Sequence, residues 1–175
     1  NWRSIHFAFK ISVTLLLMAV AHGTGYWYRF QMADSRRGDA CFFVGTILYG
    51  ATVLLVADHM RVPEFYPWAF FAWAAGTLPL AWVLGSCSML GLTNLLATVW
   101  VVWHILVSGE AAYTSMFVAQ GLCLIRWSYV NRSRGLFTLT LASLVLWWCL
   151  LAVAEDLGRA GFFWVAGLGP VLVLI

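Results

Sequence analysis

The chain has 175 residues, of which 63% are hydrophobic and 10% are charged, and its formal net charge is +3. A soluble globular domain carries about 25% charged residues. A water-soluble core of this length cannot hide so much apolar side chain, so lipid must cover the surplus. The arginines are scattered along the chain and form no concentrated basic face, which argues against a nucleic-acid partner. The composition therefore predicts an integral membrane protein whose main partner is the lipid bilayer.

Seven apolar runs follow one another along the chain, and continuous runs of this length exclude the alternating strands of membrane barrels. A spanning helix takes about 20 residues, because the hydrocarbon is about 30 Å thick and each residue rises about 1.5 Å. We therefore predict an all-α polytopic helix bundle of about seven transmembrane helices, in one domain over residues 1–175. The chain opens at Asn1 and closes at Ile175 inside an apolar run, so we expect truncation at both ends. The predicted spans are residues 5–28, 40–57, 67–84, 88–107, 111–127, 136–154 and 160–175.

The arginines divide unequally between the two sets of loops, and this division predicts the orientation. An excess of arginine in short loops marks the cytoplasmic side. The larger group is therefore expected in the cytoplasm, and Asn1 on the periplasmic or outer side. The larger group comprises Arg29, Arg36, Arg37, Arg126, Arg132 and Arg134, and the smaller comprises Arg3, Arg61 and Arg159.

A faint repeat links three of the predicted spans. The phrases ATVLLVADH, ATVWVVWHI and ASLVLWWCL begin at Ala51, Ala97 and Ala142. Each lies in an even-numbered span that runs in the same direction. The pattern is consistent with one helical-hairpin unit used three times, as parallel repeats are used in transporters. Chance matches between apolar helices, which draw on few residue types, are the simpler explanation.

The polar break Asp58-His59-Met60 interrupts the second apolar run and raises the question of a metal site. Adjacent helical residues point about 100° apart, so Asp58 and His59 do not share one helix face. Other potential ligands are expected at the same depth, namely His6, His104 and Met116. Imidazole and thioether ligands suit copper, and imidazole with carboxylate suits zinc. Shared depth is not proximity, so the simpler interpretation is that polar residues gather where the hydrocarbon ends. No cofactor is evident, and a metal or haem stays the alternative.

Polar residues inside the predicted spans are the other candidates for function. His22 is expected about 9 Å from the inner end of span one, and ionisable groups at that depth often mark a ligand or proton path. The simpler alternative is a neutral histidine bonded to a helix carbonyl. Asn94 and Gln120 are expected to form hydrogen bonds between helices. Pro79 is expected to kink the third span, by removing one backbone hydrogen bond.

The remaining motifs give no support for an enzyme. The chain contains no G-x-S-x-G, P-loop or Rossmann glycine pattern, which are the sequence signatures of hydrolases and nucleotide-binding enzymes. The four cysteines form no C-x-x-C pair, and three are expected near the cytoplasmic ends of spans, where thiols stay reduced. We therefore expect four free thiols, at Cys41, Cys87, Cys123 and Cys149.

Several phrases together resemble a known family. They are Asn1-Trp2 with a basic residue eight positions on, RRGDA before span two, ILYGATVLLVA within it, and WAFFAWAAGTLPLAWVLGS in span three. Over about residues 1–90 the chain resembles the bacterial predicted membrane proteins of domain-of-unknown-function family 2157. That resemblance implies a bacterial inner-membrane location, one further span upstream and a short cytoplasmic N-terminal region. It carries no established activity.

Three functions compete on these observations. The first is a non-enzymatic membrane scaffold or a subunit of a membrane complex with other membrane-protein subunits. The second is a transporter or channel for a small molecule or lipid, which the faint repeat, Pro79 and His22 favour. The third is a metal- or haem-binding redox subunit that uses His6, His59 and His104.

Overall fold

A computed structural model describes residues 6–60, 65–108 and 114–156, and the backbone there is helical apart from short turns. The expected all-α class is confirmed for this part of the chain. The helices are α1 (Phe7–Tyr26), α2 (Ser35–Met60), α3 (Phe65–Leu84), α4 (Cys87–Trp103), α5 (Thr114–Val130) and α6 (Arg134–Asp156), with π-helical turns at Trp27–Gln31 and His104–Ser108.

The expected number of seven spans is corrected to four candidates within the described residues. Four helical stretches are long and apolar enough to cross a membrane. The apolar part of α3 covers about 25 Å at 1.5 Å per residue, which is short of the hydrocarbon thickness, and the 17-residue α5 contains Arg126. The predicted span 160–175 lies outside the described residues. The four stretches are Phe7–Gln31, Ser35–Met60, Cys87–Leu106 and Arg134–Ala152.

Helix ends extend beyond the apolar runs, because local hydrogen bonds keep polar residues helical. The second span is expected to start at residue 40, but α2 starts at Ser35. The Asp34 carboxylate accepts a hydrogen bond from the backbone N–H of Arg37 at 3.1 Å. This N-cap satisfies one of the donors that a helix start leaves open. Residues Ser35–Asp39 therefore form the start of α2, although the apolar pattern places them in a loop.

The helices form three antiparallel hairpins, α1–α2, α3–α4 and α5–α6, and α4 joins them. It packs against α3, α5 and α6, while α1 packs mainly against α2. In the most apolar 18-residue stretch of Cys87–Leu106, which is α4 with part of the π-helical turn, 61% of the residues are buried, whereas in that of Phe7–Gln31 none is. The core therefore centres on α4, and α1 lies at the periphery with most of its apolar surface uncovered by the described residues.

All three hairpins turn at the same end of the bundle. The turns are residues 32–34, 85–86 and 131–133, and each contains one residue with positive φ: Ala33, Gly85 and Arg132. A residue with positive φ, in the left-handed region, lets the chain end one helix and turn back within two or three residues. Glycine adopts this conformation without a steric cost. We call this the arginine end, because all the described arginines lie at or near it. The other, where α1 and α3 begin and α2 and α4 end, is the histidine end.

The α2–α3 interface is a reciprocal packing of aromatic rings on glycines. The indole of Trp73 occupies the space where a side chain on Gly50 would stand, and the phenol of Tyr49 does the same at Gly76. The Trp73 Nε1–H also donates to the Thr46 carbonyl at 2.9 Å. Close backbone approach at small residues is a main source of helix affinity in lipid. The phrase LYGA in α2 therefore has a packing role.

Candidate functional site

The possible metal ligands that the sequence indicates lie at the histidine end, but each has different neighbours. The imidazole of His59 stacks on the Phe7 ring, with ring centroids 3.7 Å apart and planes 10° from parallel. His6 precedes α1 as its N-cap residue, and Asp58 is exposed. A ring stacked flat on a phenyl group is positioned by that contact.

His104 lies in an aromatic cluster on the α3–α4 side of the bundle. It is buried, and its ring centroid lies 6.0 Å from that of Trp68 and 5.5 Å from that of Trp100. Met116 at the start of α5 is exposed. Within the described ranges, no three histidine, cysteine or acidic side chains come close enough to hold a metal ion. A metal or haem function for His6, His59, His104 and Met116 therefore stays a prediction.

His22 is held by its own helix and by its neighbour α2. Its Nδ1 lies 2.8 Å from the Met18 carbonyl, one turn earlier, so this nitrogen carries the proton and donates. The imidazole lies over Gly45, and its ring meets Phe42 edge-on at 5.8 Å. His22 lines neither of the two cavities described below. Its surroundings in the described part of the chain are those of a packed and hydrogen-bonded side chain.

Asn94 confirms the expectation of an interhelical bond, because its Nδ2 donates to the Ser143 hydroxyl on α6 at 3.0 Å. Thr77 and Thr93 form a second such contact between α3 and α4 at 3.2 Å. For Gln120 the expectation is not met at the amide nitrogen, which is buried without a partner among the described residues. Buried polar groups in lipid are usually bonded, so Gln120 requires a separate explanation.

Arg29 forms a junction between three helices that the apolar pattern does not predict. Its guanidinium forms an ion pair with Asp39 near the start of α2 and donates to the Leu84 carbonyl at the end of α3 at 2.5 Å. The last carbonyls of a helix have no partner within it and carry partial negative charge. A side chain on Gly38 would overlap Arg29, so this glycine lets the π-helical turn approach α2. In the sequence, the Gly38-Asp39 pair within RRGDA is the feature that could have indicated this junction.

A cavity of about 400 Å³ lies between α3, α4 and α5. Phe71 to Trp82 form one wall on α3, residues 116–124 form the other on α5, and Ala97 and Trp100 on α4 form the floor. Several lining residues at its edges are exposed, among them Trp82 and Met116, so the cavity opens on the outer surface of the bundle. A second cavity of about 330 Å³ lies between α2, α4 and α6 near the arginine end.

The comparisons with known proteins decide the family. The model of the family described as "Predicted membrane protein (DUF2157)" matches residues 1–90, about half of the chain. The chain belongs to this family. No curated protein matches the chain, and no solved structure does.

The DUF2157 segment contains α1, α2, α3 and the first turn of α4. Both the Arg29 junction and the aromatic–glycine interface of α2 and α3 lie inside it. Three of the phrases that carry the resemblance therefore contain residues that hold the first three helices together: RRGDA, ILYGATVLLVA and WAFFAWAAGTLPLAWVLGS. The cavity wall on α5 and most of α4 lie beyond residue 90, so the family match covers only part of the cavity.

All four cysteines are free thiols in the structure. Cys87 and Cys123 are exposed, as is Cys149 on α6, whereas Cys41 on α2 is half-buried. Cys123 lines the α3–α4–α5 cavity. These thiols supply labelling positions on different faces of the bundle.

Proposed function

We propose that this DUF2157 chain is a non-enzymatic, multi-pass protein of the bacterial inner membrane that acts as a scaffold or a subunit of a membrane complex. Its arginine end lies in the cytoplasm and its histidine end faces the periplasm, with Asn1 on the periplasmic side. Its partners are the lipid bilayer and other membrane-protein subunits.

The distribution of the described arginines supports the orientation in this proposal. Arg29, Arg36 and Arg37 lie at the first hairpin turn, and Arg126, Arg132 and Arg134 lie at the third. Antiparallel packing brings both turns to one end. Asp58 lies at the other end, as does Lys10, which has a long stem that can bring its ammonium group to the interface. Because arginine in short loops is retained in the cytoplasm, this division supports one orientation.

The packing of the intramembrane polar groups supports a structural role. Asn94 bonds Ser143, Thr77 contacts Thr93, and His22 bonds its own helix. Such bonds contribute about 0.6 kcal/mol each in membrane helices, with a maximum near 1.7 kcal/mol. The Asn94–Ser143 and Thr77–Thr93 contacts thus help to select helix neighbours, and His22 is satisfied within its own helix.

The outer face of α1 supports a contact with another membrane subunit. Ala8 and Ser12 form one pair of small residues on this face, and Ala19 and Gly23 form another, with Leu15 between the two pairs; all five are exposed. A side chain added at Gly23 would meet no atom within 4 Å. Small residues in this arrangement let a second helix approach closely in lipid.

Cysteine labelling in a background without the native cysteines tests the orientation. Ser35→Cys at the arginine end and Met60→Cys at the histidine end replace exposed residues. With a membrane-impermeant maleimide on intact spheroplasts, we expect reaction at position 60 and none at position 35 until the membrane is opened. The reverse pattern would invert the orientation, and reaction of both positions in intact spheroplasts would contradict the bundle topology.

Ala19→Leu tests the contact with other subunits. It places a branched side chain on the small-residue face of α1, and we expect loss of the chain's larger assemblies on native gels of mild-detergent extracts. Ala142→Leu is the matched control, because Ala142 is an exposed alanine of α6. Equal migration of wild type and both variants would contradict the role of this face.

Transport of a lipid or small molecule is the second candidate, because the α3–α4–α5 cavity opens on the outer surface. Pro79 lies in α3 next to the lining residue Leu78 and removes one hydrogen bond of that helix. A fluorescent-lipid scrambling assay in liposomes separates the two candidates. The scaffold proposal predicts the rate of protein-free liposomes, and a clearly faster rate would favour transport.

A further inference from the structure

The α3–α4–α5 cavity contains two buried hydrogen-bond donors that have no acceptor among the described residues. Trp100 is 1% exposed, and its indole Nε1 has no partner in that part of the chain. The same holds for the amide Nε2 of Gln120, and both side chains line the cavity. The Phe71 ring lies 5.0 Å from the Trp100 ring, and this contact positions the indole. Because buried donors in lipid are normally bonded, the pair indicates that an acceptor oxygen belongs in the cavity.

Both donors lie near the middle of the bilayer. Measured from the arginine end at 1.5 Å per residue, Trp100 lies about 20 Å along α4 and Gln120 about 15 Å along α5. A long helical side chain leans toward the N-terminus of its own helix, so on these antiparallel helices the two side chains lean toward one common level. The hydrocarbon is about 30 Å thick, and this level is close to its midplane.

This depth, together with the lining, excludes most bilayer components as the source of the oxygen. The ester carbonyls of phospholipids lie at the edge of the hydrocarbon, about 15 Å from its midplane. No charged side chain among the described residues lines the cavity, so an ion would lose its hydration there without gaining an opposite charge. The occupant that fits is a neutral molecule that dissolves in the hydrocarbon and carries a carbonyl group.

The walls of the cavity favour a flat ring with an apolar tail. Three more aromatic side chains line it, Phe71, Trp82 and Phe117, and aromatic faces pack well on flat rings. From the level of the donors the cavity continues toward the arginine end, to Leu124 on α5 and Trp82 on α3. Its volume of about 400 Å³ lies in the range of ligand sites. Isoprenoid quinones combine a neutral ring that carries carbonyl groups with a long apolar tail, and they dissolve in the hydrocarbon.

We propose that this cavity binds the ring of an isoprenoid quinone, whose carbonyl oxygens accept hydrogen bonds from Trp100 and Gln120. The tail then runs toward Leu124 and the arginine end. The assignment goes beyond a scaffold role, because it gives the bundle a specific small-molecule ligand. It holds for either orientation of the chain in the membrane, since the donors lie near the midplane in both.

Binding of decylubiquinone, which carries the ubiquinone ring on an alkyl tail, tests the site. The full chain in detergent is titrated with it, and the quinone that co-elutes with the protein on gel filtration is measured, with protein-free micelles subtracted. We expect saturation near one quinone per chain. The double variant Trp100→Phe/Gln120→Leu keeps the apolar lining but removes both donors, and its binding should be about tenfold weaker. Ala119→Phe places a ring in the cavity and should also weaken binding.

Trp147→Phe is the matched control, because Trp147 is also a buried indole whose nitrogen has no described partner, but it does not line this cavity. We expect wild-type binding in this variant. Decane, which has the tail without the ring, should not displace the quinone. Absence of saturable binding by the wild type, or equal binding by the wild type, the double variant and Ala119→Phe, would overturn the proposal. Displacement by an equal concentration of decane would overturn the role of the ring.

Cys123 provides a measurement that leaves Trp100 and Gln120 intact, in case their variants do not fold. The ring of decylubiquinone is fully substituted and does not add thiols. In a chain whose only cysteine is Cys123, which lines the cavity, the quinone should slow the reaction with an apolar maleimide several-fold. In a chain whose only cysteine is Cys149, the rate should not change.

No protection of Cys123, or equal protection of both thiols, would overturn the site. The labelling of positions 35 and 60 is independent of this result, so a wrong orientation and a wrong quinone site are distinguishable.

Discussion

The indole of Trp73 lies directly against Gly50, in the space that any larger residue at position 50 would occupy. The same indole donates its N–H to the Thr46 carbonyl, one turn earlier on α2. The position of the ring is therefore fixed both by its packing against Gly50 and by a directional hydrogen bond to Thr46. Because Tyr49 packs in the same way on Gly76, α2 and α3 have one favoured register.

Gly50→Ala should lower the free energy of unfolding by about 1–3 kcal/mol, because the added methyl overlaps the middle of the Trp73 ring system. Thermal or denaturant unfolding in detergent measures the change. Gly91→Ala is the control, since a side chain there meets Leu139 at an ordinary 3.6 Å, and we expect unchanged or slightly higher stability. An equal effect of both substitutions would contradict the described interface.

His22 and Gly45 should show energetic coupling, because the imidazole fills the space beside the glycine. In the wild type we expect Gly45→Ala to cost about 1 kcal/mol. In a His22→Ala background the same substitution should cost little, which gives a coupling of at least about 0.5 kcal/mol. Unfolding of the four proteins of this cycle measures it. Additive effects would show that the two residues do not meet.

The sequence alone predicts the helical class and the first six helices to within a few residues, because hydrophobic runs of spanning length form helices in lipid. It also predicts the Asn94 bond and the gathering of the six described arginines at one end. It does not predict the register between helices, which depends on which ring meets which glycine, as for Trp73 and Gly50. The Arg29 junction is likewise missed, because the Leu84 carbonyl to which Arg29 donates lies 55 residues further along the chain.

Arg29→Ala should lower stability by about 1–2 kcal/mol, because it removes both the Asp39 ion pair and the bond to the Leu84 carbonyl. Asp39→Asn should cost less, since it leaves the Leu84 bond in place. Arg37→Ala is the control: Arg37 pairs with Asp34 at 3.2 Å but is mostly exposed, and such pairs contribute about 0–1 kcal/mol. A larger cost for Arg37→Ala than for Arg29→Ala would contradict the junction.

His59→Ala should leave the metal content of the purified protein unchanged, because the His59 ring stacks on Phe7 and is not part of a ligand cluster in the described residues. Elemental analysis of copper, zinc and iron in both proteins, with an absorption spectrum for haem, measures this. Loss of stoichiometric metal in the variant would promote the redox hypothesis over the scaffold.

The family match ends at residue 90, four residues into α4, and α4 is the helix around which the others pack. A truncated product that stops at this boundary would keep α3 but lose Thr93, Trp100 and most of the surface on which α3 rests. Such a fragment is expected to aggregate or be degraded in cells. Expression of the family segment as a separate unit therefore needs a C-terminal boundary beyond Ser108.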